Sequence, residues 1–516
     1  MNASYAVRII EKTSLLLLLA IVCGLIIRLL YFPYNIPIIL DGSLYFWYAI
    51  DTSLLGQLPT GYDFPNNGWP SFLAIFFSFL KSQNFLDFMH LQRILTVVIS
   101  SLTAIPIYLL GTRFFEKKYA IIGAFIFIID PRIIINSLLG ITDTSFILLA
   151  VLSLFFILGK DTRYSFIAFG LAALGALTRY EGILLLVPLS ISYFLRFRKE
   201  NKLILKYFIA IGIFAIVLLP MTYERVQTMG KDGFISHISA ATKAHQYISE
   251  YPESGSDYYK KTIIQTIKIF FSYLGWIMIP TFAFLVPVGI IIFFRKKLQK
   301  ITDLRIVTII LFCIVMLLPA LYAYSRGYHE TRYLYIIFPV LCLLSTITLR
   351  ELIHKFTNQK LIAIVICSGI IGASIAYLDI RGPNTDHERE SFEIAQKISK
   401  VSRGINQFSE IEYVKSTYIL NQNFPTIKKS VLESPKIITY SDEETVLEFI
   451  KKNQNNGLTH IVSDDLFGIN SKIERSLNDV FLHEEKYPYL KKIYDSDQEG
   501  YHYRIKVFEI DYNALS

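Results

Sequence analysis

Four short stretches of this 516-residue chain set ionisable side chains within strongly apolar sequence. In "IPIILDGSLYFWYAIDTSLLGQLPTGYDFPNNGWP", Asp41 stands before a run of aromatics in a segment with no Lys or Arg. Asp143 lies in "DPRIIINSLLGITDTSFILLA", Arg179 and Glu181 interrupt "ALTRYEGILLL", and Arg326, His329, Glu330, Arg332 and Tyr333 crowd into "YSRGYHETRYLYIIFP". Each has an ordinary reading. Asp41 and Asp143 suit helix N-caps, with Thr142 a rival to Asp143; Arg179 and Glu181 suit an ion pair at a hairpin tip; the last stretch suits a solvated turn. An unpaired charge at the centre of a membrane helix costs roughly 2.5–3.5 kcal/mol, so charges kept at such levels generally face a water-filled cavity on a substrate path.

A carboxylate, several arginines and a rim of Tyr and Trp at a lipid interface suit one chemistry well: transfer of a sugar from a polyprenyl phosphate. Phosphate is already a good leaving group, so one base that deprotonates the acceptor suffices, and arginines take the phosphate charge by forked hydrogen bonds. A single displacement inverts the anomeric carbon, by the logic that separates one-step from two-step glycosidases. In that reading the carboxylates of Asp41 and Asp143 stand in one outer-face cavity with the arginines. Arg179, Arg326 and Arg332 hold the phosphate, while Glu181, His329, Glu330 and Tyr333 line the same cavity.

The elements that must position these residues are membrane helices. Hydrophobic residues make up 53% of the chain and charged ones only 18%, against about 25% in soluble domains, and the mean hydropathy is +0.44. Apolar runs fall near 13–31, 92–112, 118–130, 144–159, 164–178, 181–196, 203–223, 268–294, 306–324, 333–350 and 360–378, about eleven spans. The apolar stretch 69–80 is only about a dozen residues, short for a span, and reads as an interfacial or re-entrant helix. The links "RFFEKK", "GKDTR", "RFRKENK", "RKKLQK" and "RELIHKFTNQK" all fall on one side, which places the N-terminus in the cytoplasm. The loop 32–91, the links carrying Asp143, Arg179 and Arg332, the loop 224–265 and the tail then face outward.

The net charge of +9 does not signal nucleic-acid binding. Residues 379–516 carry 18 Lys and Arg against 23 Asp and Glu, so the positive excess sits in the short links between spans. The tail reads as a small extracytoplasmic α/β domain, 379–516, after a transmembrane domain, 1–378. "PKIITY", "LTHIVSD" and "YHYRIKVFEIDY" read as strands. "SDEETVLEFIKKNQNNG" reads as a helix with a capping box at Ser441 and Glu444, an apolar face at Val446, Leu447, Phe449 and Ile450, and Gly457 as its stop. Cys23, Cys313, Cys342 and Cys367 all lie in apolar runs, which excludes a disulfide-stapled outer domain and a cysteine metal site.

The order of these features resembles the GT-C superfamily of polyprenyl-phosphate-sugar-dependent glycosyltransferases, which includes protein O-mannosyltransferases, aminoarabinose transferases and the catalytic subunit of oligosaccharyltransferase. "LDGSLYFWYA" is similar to the family's first outer loop, whose acidic residue corresponds to Asp41. "GQLPTGYDFPNNGWPSFL" resembles the Pro/Gly-rich approach to a peripheral helix. "PRIIINSLLGITDTS" is similar to a stretch ending in an acid-x-acid motif, with Asp143 as the first acid and Ser145 in place of the second. The resemblance covers roughly residues 10–350. It implies a mainly α, polytopic membrane bundle, a dolichyl- or polyprenyl-phosphate sugar such as dolichyl phosphate mannose as donor, and a protein or glycolipid acceptor. It admits a divalent metal, Mg or Mn, at Asp41 and Asp143. No WWDYG-like motif occurs, which favours monosaccharide transfer over transfer of a whole oligosaccharide to asparagine.

Two other classes remain at this level. A transporter or lipid flippase would use intramembrane charges to bind its substrate, but such folds show internal repeats that are not visible here. A non-catalytic scaffold displaying the α/β tail would have no need of Asp41 together with the arginines.

Overall fold

The computed structural model describes residues 3–38, 41–60, 62, 66–233, 263–297, 303–382, 385–401, 405–407, 445–464 and 472–515. They form a helical chain with one small sheet near the C-terminus. Two compact units are distinguished: Met1–Phe32 with Gln57–Phe76 and Leu91–Gly382, and Pro33–Gly56 with Phe77–His90 and Pro383–Ser516.

The first unit is a membrane bundle. Among the described residues seven helices are long and apolar enough to cross a bilayer, or eight if the bent pair Lys117–Ile129 and Pro131–Ser137 is one span. Five shorter apolar helices accompany them. Long helices such as Leu203–Met229 turn apolar side chains outward, with Phe208 65% and Ile216 66% exposed. Such a surface is stable only against lipid, where the helix satisfies its own backbone groups. The protein is an integral membrane protein.

The eleven apolar runs of the sequence fall on helices, some of them divided: 268–294 into Ile263–Ile277 and Leu285–Lys297, 92–112 at Thr103 and 306–324 at Leu317, while 181–196 and 333–350 each begin in a 3₁₀ helix. The short apolar stretch 69–80 forms the helix Gly68–Phe77. Two helices end at Asp143 and Arg179, α8 (Asp143–Ile157) and α9 (Arg163–Thr178), which have 15 and 16 residues. At 1.5 Å per residue they are about 23 Å long, short of the roughly 30 Å of hydrocarbon. Short helices can leave their polar ends recessed. The α8–α9 pair packs through small residues, Ala150 against the Ala168, Ala172, Ala173 and Ala176 stripe, the residue choice that lets membrane helices approach closely. Ser153 Oγ donates to the Ala168 carbonyl at 2.9 Å across this contact.

A bend of 55° separates Lys117–Ile129 from α7 (Pro131–Ser137). Asp130 and Pro131 explain it. The Asp130 side chain accepts from the backbone N–H groups of Arg132 and Ile133, and proline occupies the first helical position, where no N–H is required. Arg28, fully buried, secures the bend. Its guanidinium donates to the Ile128 and Gly24 carbonyls at 2.9 and 3.0 Å and to Ser137 and Ser100 hydroxyls at 3.2 and 3.1 Å.

The second unit contains α2 (Asp41–Leu55) and the C-terminal sheet. Its sheet has the order β1-β2-β4-β3, where β1 is Ile405–Gln407, β2 Leu458–Asp464, β3 Leu490–Asp495 and β4 Ile505–Ile510. The β1–β2 pair is parallel and the others are antiparallel, with Ile461 opposite Phe508 and Leu490 opposite Ile510. Val446, Phe449, Ile450, Leu477 and Val480 cover it with apolar surface. The strands expected at "LTHIVSD" and "YHYRIKVFEIDY" are β2 and β4; "PKIITY" lies outside the described residues. The expected helix is Val446–Asn453, and its capping box is formed by Thr445 and Glu448 at 3.3 and 3.1 Å. Ser441 and Glu444 lie outside the described residues. Leu447 points outward, 36% exposed, while Gly457 ends the segment at φ +82° as expected.

Candidate active site

The start of α8 and the end of α9 bring Asp143, Arg179 and Glu181 together. Thr142 takes the N-cap position and Asp143 the first turn of α8, so the Asp143 carboxylate is available for other partners. Arg179 ends α9 in an extended backbone conformation, which turns the chain into a 3₁₀ helix, Tyr180–Leu185. Gly182 permits that turn: a Cβ there would stand 2.5 Å from the backbone nitrogen of Ala176.

Arg179 Nη1 donates to Asp143 Oδ1, and Nη2 donates to Glu181 Oε1 at 2.9 Å. Nε reaches Glu181 Oε2 at 3.4 Å. The remaining Asp143 oxygen accepts from Asn136 Nδ2 at 3.3 Å. All three charged side chains are nearly buried, at 6%, 13% and 10% exposure for Asp143, Arg179 and Glu181. One guanidinium thus bridges two carboxylates, the forked geometry that lysine cannot supply.

A second 3₁₀ helix, Thr331–Ile337, faces the same cavity. Residues three apart eclipse in such a helix, so Arg332 aligns with Tyr335 and Tyr333 with Ile336. All four line the cavity, with Asp143, Arg179 and Glu181 on the polar side and Phe146, Ile147, Met316 and Pro319 on the apolar side. The cavity volume is about 20 Å³, on the order of one water molecule. Arg332 is paired with Glu330, whose side chain is half exposed.

Of the nine residues singled out in the sequence, five therefore share this cavity: Asp143, Arg179, Glu181, Arg332 and Tyr333. Glu330 meets it through Arg332. Arg326 caps Leu318–Ser325 and does not line the cavity, because the chain turns at Gly327, φ +89°, before reaching it. His329 is exposed, its ring 6.2 Å from that of Tyr273. Asp41 begins α2 in the second unit. Sequence reasoning missed Asn136 and Tyr335. Asn136 could have been found as a polar residue in the apolar link seven positions before Asp143; Tyr335 by its three-residue spacing from Arg332.

The cavity residues by themselves do not fit a divalent cation. The Asp143 oxygens are engaged by Arg179 and Asn136, Glu181 is engaged by Arg179, and no group of three or more His, Cys, Asp or Glu side chains that could hold a metal occurs among the described residues. The cation of this cluster is a guanidinium.

Residues 75–223 match the family of dolichyl-phosphate-mannose-protein mannosyltransferases. No curated protein matches the chain. Among solved structures, ArnT from Cupriavidus metallidurans bound to undecaprenyl phosphate is similar over 100% of this chain and 99% of its own, with 10% identity and a TM-score of 0.56. The Archaeoglobus fulgidus oligosaccharyltransferase is similar in a complex with Zn and sulfate, over 95% of this chain and 72% of its own, with 14% identity and a TM-score of 0.57. The same archaeal protein, AglB, in complex with an inhibitory peptide and a dolichol-phosphate, is similar over 88% of this chain and 69% of its own, at 13% identity and a TM-score of 0.54. The polytopic membrane bundle, the family match over residues 75–223 and these shared architectures together give the chain the fold of the ArnT and archaeal oligosaccharyltransferase structures.

Proposed function

We propose that the protein is an inverting glycosyltransferase that moves a sugar from a polyprenyl phosphate to a protein or glycolipid acceptor on the outer face of the membrane. The observation that carries this reading is the cavity in which Arg179 and Arg332 face apolar side chains at helix ends, beside Asp143 and Glu181. Two guanidiniums suit a phosphate, and Phe146, Ile147 and Met316 suit the isoprene next to it. The family match and the lipid phosphates in the similar structures support the same donor class.

In the proposed reaction the acceptor hydroxyl or amide attacks the anomeric carbon, its proton passes to the Asp41 carboxylate, and the bond from that carbon to the phosphate oxygen breaks. The electron pair leaves with the polyprenyl phosphate, whose charge Arg332 and Arg179 stabilise. Asp143, fixed by Arg179 and Asn136, orients the acceptor. Tyr333 and Tyr335 border the sugar, and Arg326, His329 and Glu330 lie along its approach. Mg or Mn at Asp41 and Asp143 would first have to displace Arg179 from Asp143, so no step is assigned to a metal. The proposed orientation has a cytoplasmic N-terminus, with residues 1–378 as the catalytic membrane domain and 379–516 as an extracytoplasmic domain.

The test is transfer by the purified protein in lipid nanodiscs, supplied with polyprenyl-phosphate sugars, dolichyl phosphate mannose first, and with peptide and glycolipid acceptors. A product with inverted anomeric configuration is expected. Failure to bind undecaprenyl phosphate, together with no product from any such donor, would end this reading.

A further inference from the structure

The segment Asn66–Trp69 has no role in the proposed chemistry, yet it touches both arms of the Asp143–Arg179–Glu181 cluster. Asn66 Oδ1 accepts the backbone N–H of Tyr180 at 3.1 Å, the residue between Arg179 and Glu181. Trp69 Nε1 donates to the carbonyl of Gly140, three residues before Asp143, at 3.1 Å. Gln92 Nε2 donates to that same carbonyl at 2.7 Å. Trp69 and Gln92 are both fully enclosed, at 1% and 0% exposure. Between the two contacts, Gly68 lies directly on the last turn of α9, where a Cβ would stand 2.8 Å from backbone carbon and oxygen of Leu177. On its other side Asn67 accepts a hydrogen bond from the buried Arg225 of Leu203–Met229.

These contacts converge on two weak points. The Tyr180 N–H opens a 3₁₀ helix, where a donor has no partner within its own turn; Asn66 caps it from 114 residues away. Gly140, at φ +71°, sits in the short link that delivers Asp143 to the start of α8. The Arg179–Asp143 ion pair joins the segments adjoining these points, so its geometry depends on both being held.

We propose that Asn66 and Trp69 are positioning residues that fix Arg179 and Asp143 relative to one another. Their importance to catalysis rests on the reading of that cluster as the donor site, whereas their effect on its geometry does not.

The experiment uses the full chain in nanodiscs with Asn66→Leu, Asn66→Asp and Trp69→Phe. Asn66→Asp keeps an acceptor oxygen, and Trp69→Phe keeps a ring but removes the donor. Hydrogen exchange is followed at residues 178–182 and 140–145, together with undecaprenyl-phosphate binding and melting temperature. In Asn66→Leu, exchange at the Tyr180 amide should rise about tenfold or more and binding should weaken about tenfold. Asn66→Asp should restore both to within about twofold. Trp69→Phe should raise exchange in 140–145 and weaken binding by a similar factor. Unchanged exchange at Tyr180 in Asn66→Leu would overturn the proposal. So would a binding loss that follows melting temperature and is not restored by Asn66→Asp. Absence of undecaprenyl-phosphate binding by the unmodified protein would overturn the donor-site reading instead, and the exchange measurement would decide the positioning role by itself.

Discussion

Arg179 and Asp143, 36 residues apart in sequence, are joined by a hydrogen-bonded ion pair at the adjoining ends of two short helices, and the same guanidinium grips Glu181. The pair therefore closes the α8–α9 hairpin and forms one wall of the cavity. The side chain that closes the hairpin is also the one proposed to hold the donor phosphate.

Arg179→Met should be strongly destabilising. Removing the arginine leaves two nearly buried carboxylates without their counter-charge, a change that costs about 3–5 kcal/mol when a buried pair is broken. Arg179→Lys should recover part of that loss, because an ammonium can meet one carboxylate well but not fork onto both. Thermal unfolding in nanodiscs measures both, and a melting temperature for Arg179→Met equal to that of the unmodified protein would contradict the buried cluster.

Arg332 and its partner should act in opposite directions on lipid-phosphate binding. Arg332→Ala should weaken undecaprenyl-phosphate binding about tenfold or more, the worth of a charge-assisted hydrogen bond. Glu330→Gln removes a half-exposed carboxylate that competes for Arg332, so binding should be equal or tighter. A loss of affinity in Glu330→Gln would show that the acid itself contributes to the site.

Asp41→Asn should reduce transfer by about 10²- to 10⁴-fold, the range associated with losing a general base, while undecaprenyl-phosphate binding and melting temperature stay close to those of the unmodified protein. Full turnover by this variant would remove Asp41 from the reaction. The substitution is nearly isosteric, and asparagine is as good a helix starter as aspartate, so a structural role alone predicts little change.

The C-terminal sheet should be acid-sensitive through Glu484. Its carboxyl is held below the ordinary carboxylate range by the hydrogen bond from Lys492, and Lys506 adds to this. A depressed folded-state pKa contributes stability above the unfolded value and loses it as pH falls through the folded one. Hydrogen exchange in β3 and β4 should thus accelerate below about pH 4, and Glu484→Gln should flatten that dependence. An identical pH profile in the variant would assign the acid response to other groups.

Composition and local pattern set the material of the protein. Apolar runs divided by basic links require a membrane bundle, because only helices satisfy their backbone in lipid, and the polar alternation of Leu458–Asp464 and Ile505–Ile510 requires strands. The sequence also marked Asp143, Arg179, Glu181 and Arg332, because charge amid apolar sequence stands out against its cost. What it did not contain was which charges share a space. Arg326 and Arg332 are equally basic and six residues apart, yet only Arg332 lines the cavity, since Gly327 turns the chain and the 3₁₀ helix from Thr331 then sets the direction of each side chain. Asn136 was invisible as a partner of Asp143 until the bend at Asp130 folded α7 back. Asn66 in its loop and Trp69 at the start of a short apolar helix gave no sign of their partners, because Tyr180 and Gly140 are 114 and 71 residues away. Local pattern fixes periodicity and burial; contacts of that separation arise only when whole helices have packed.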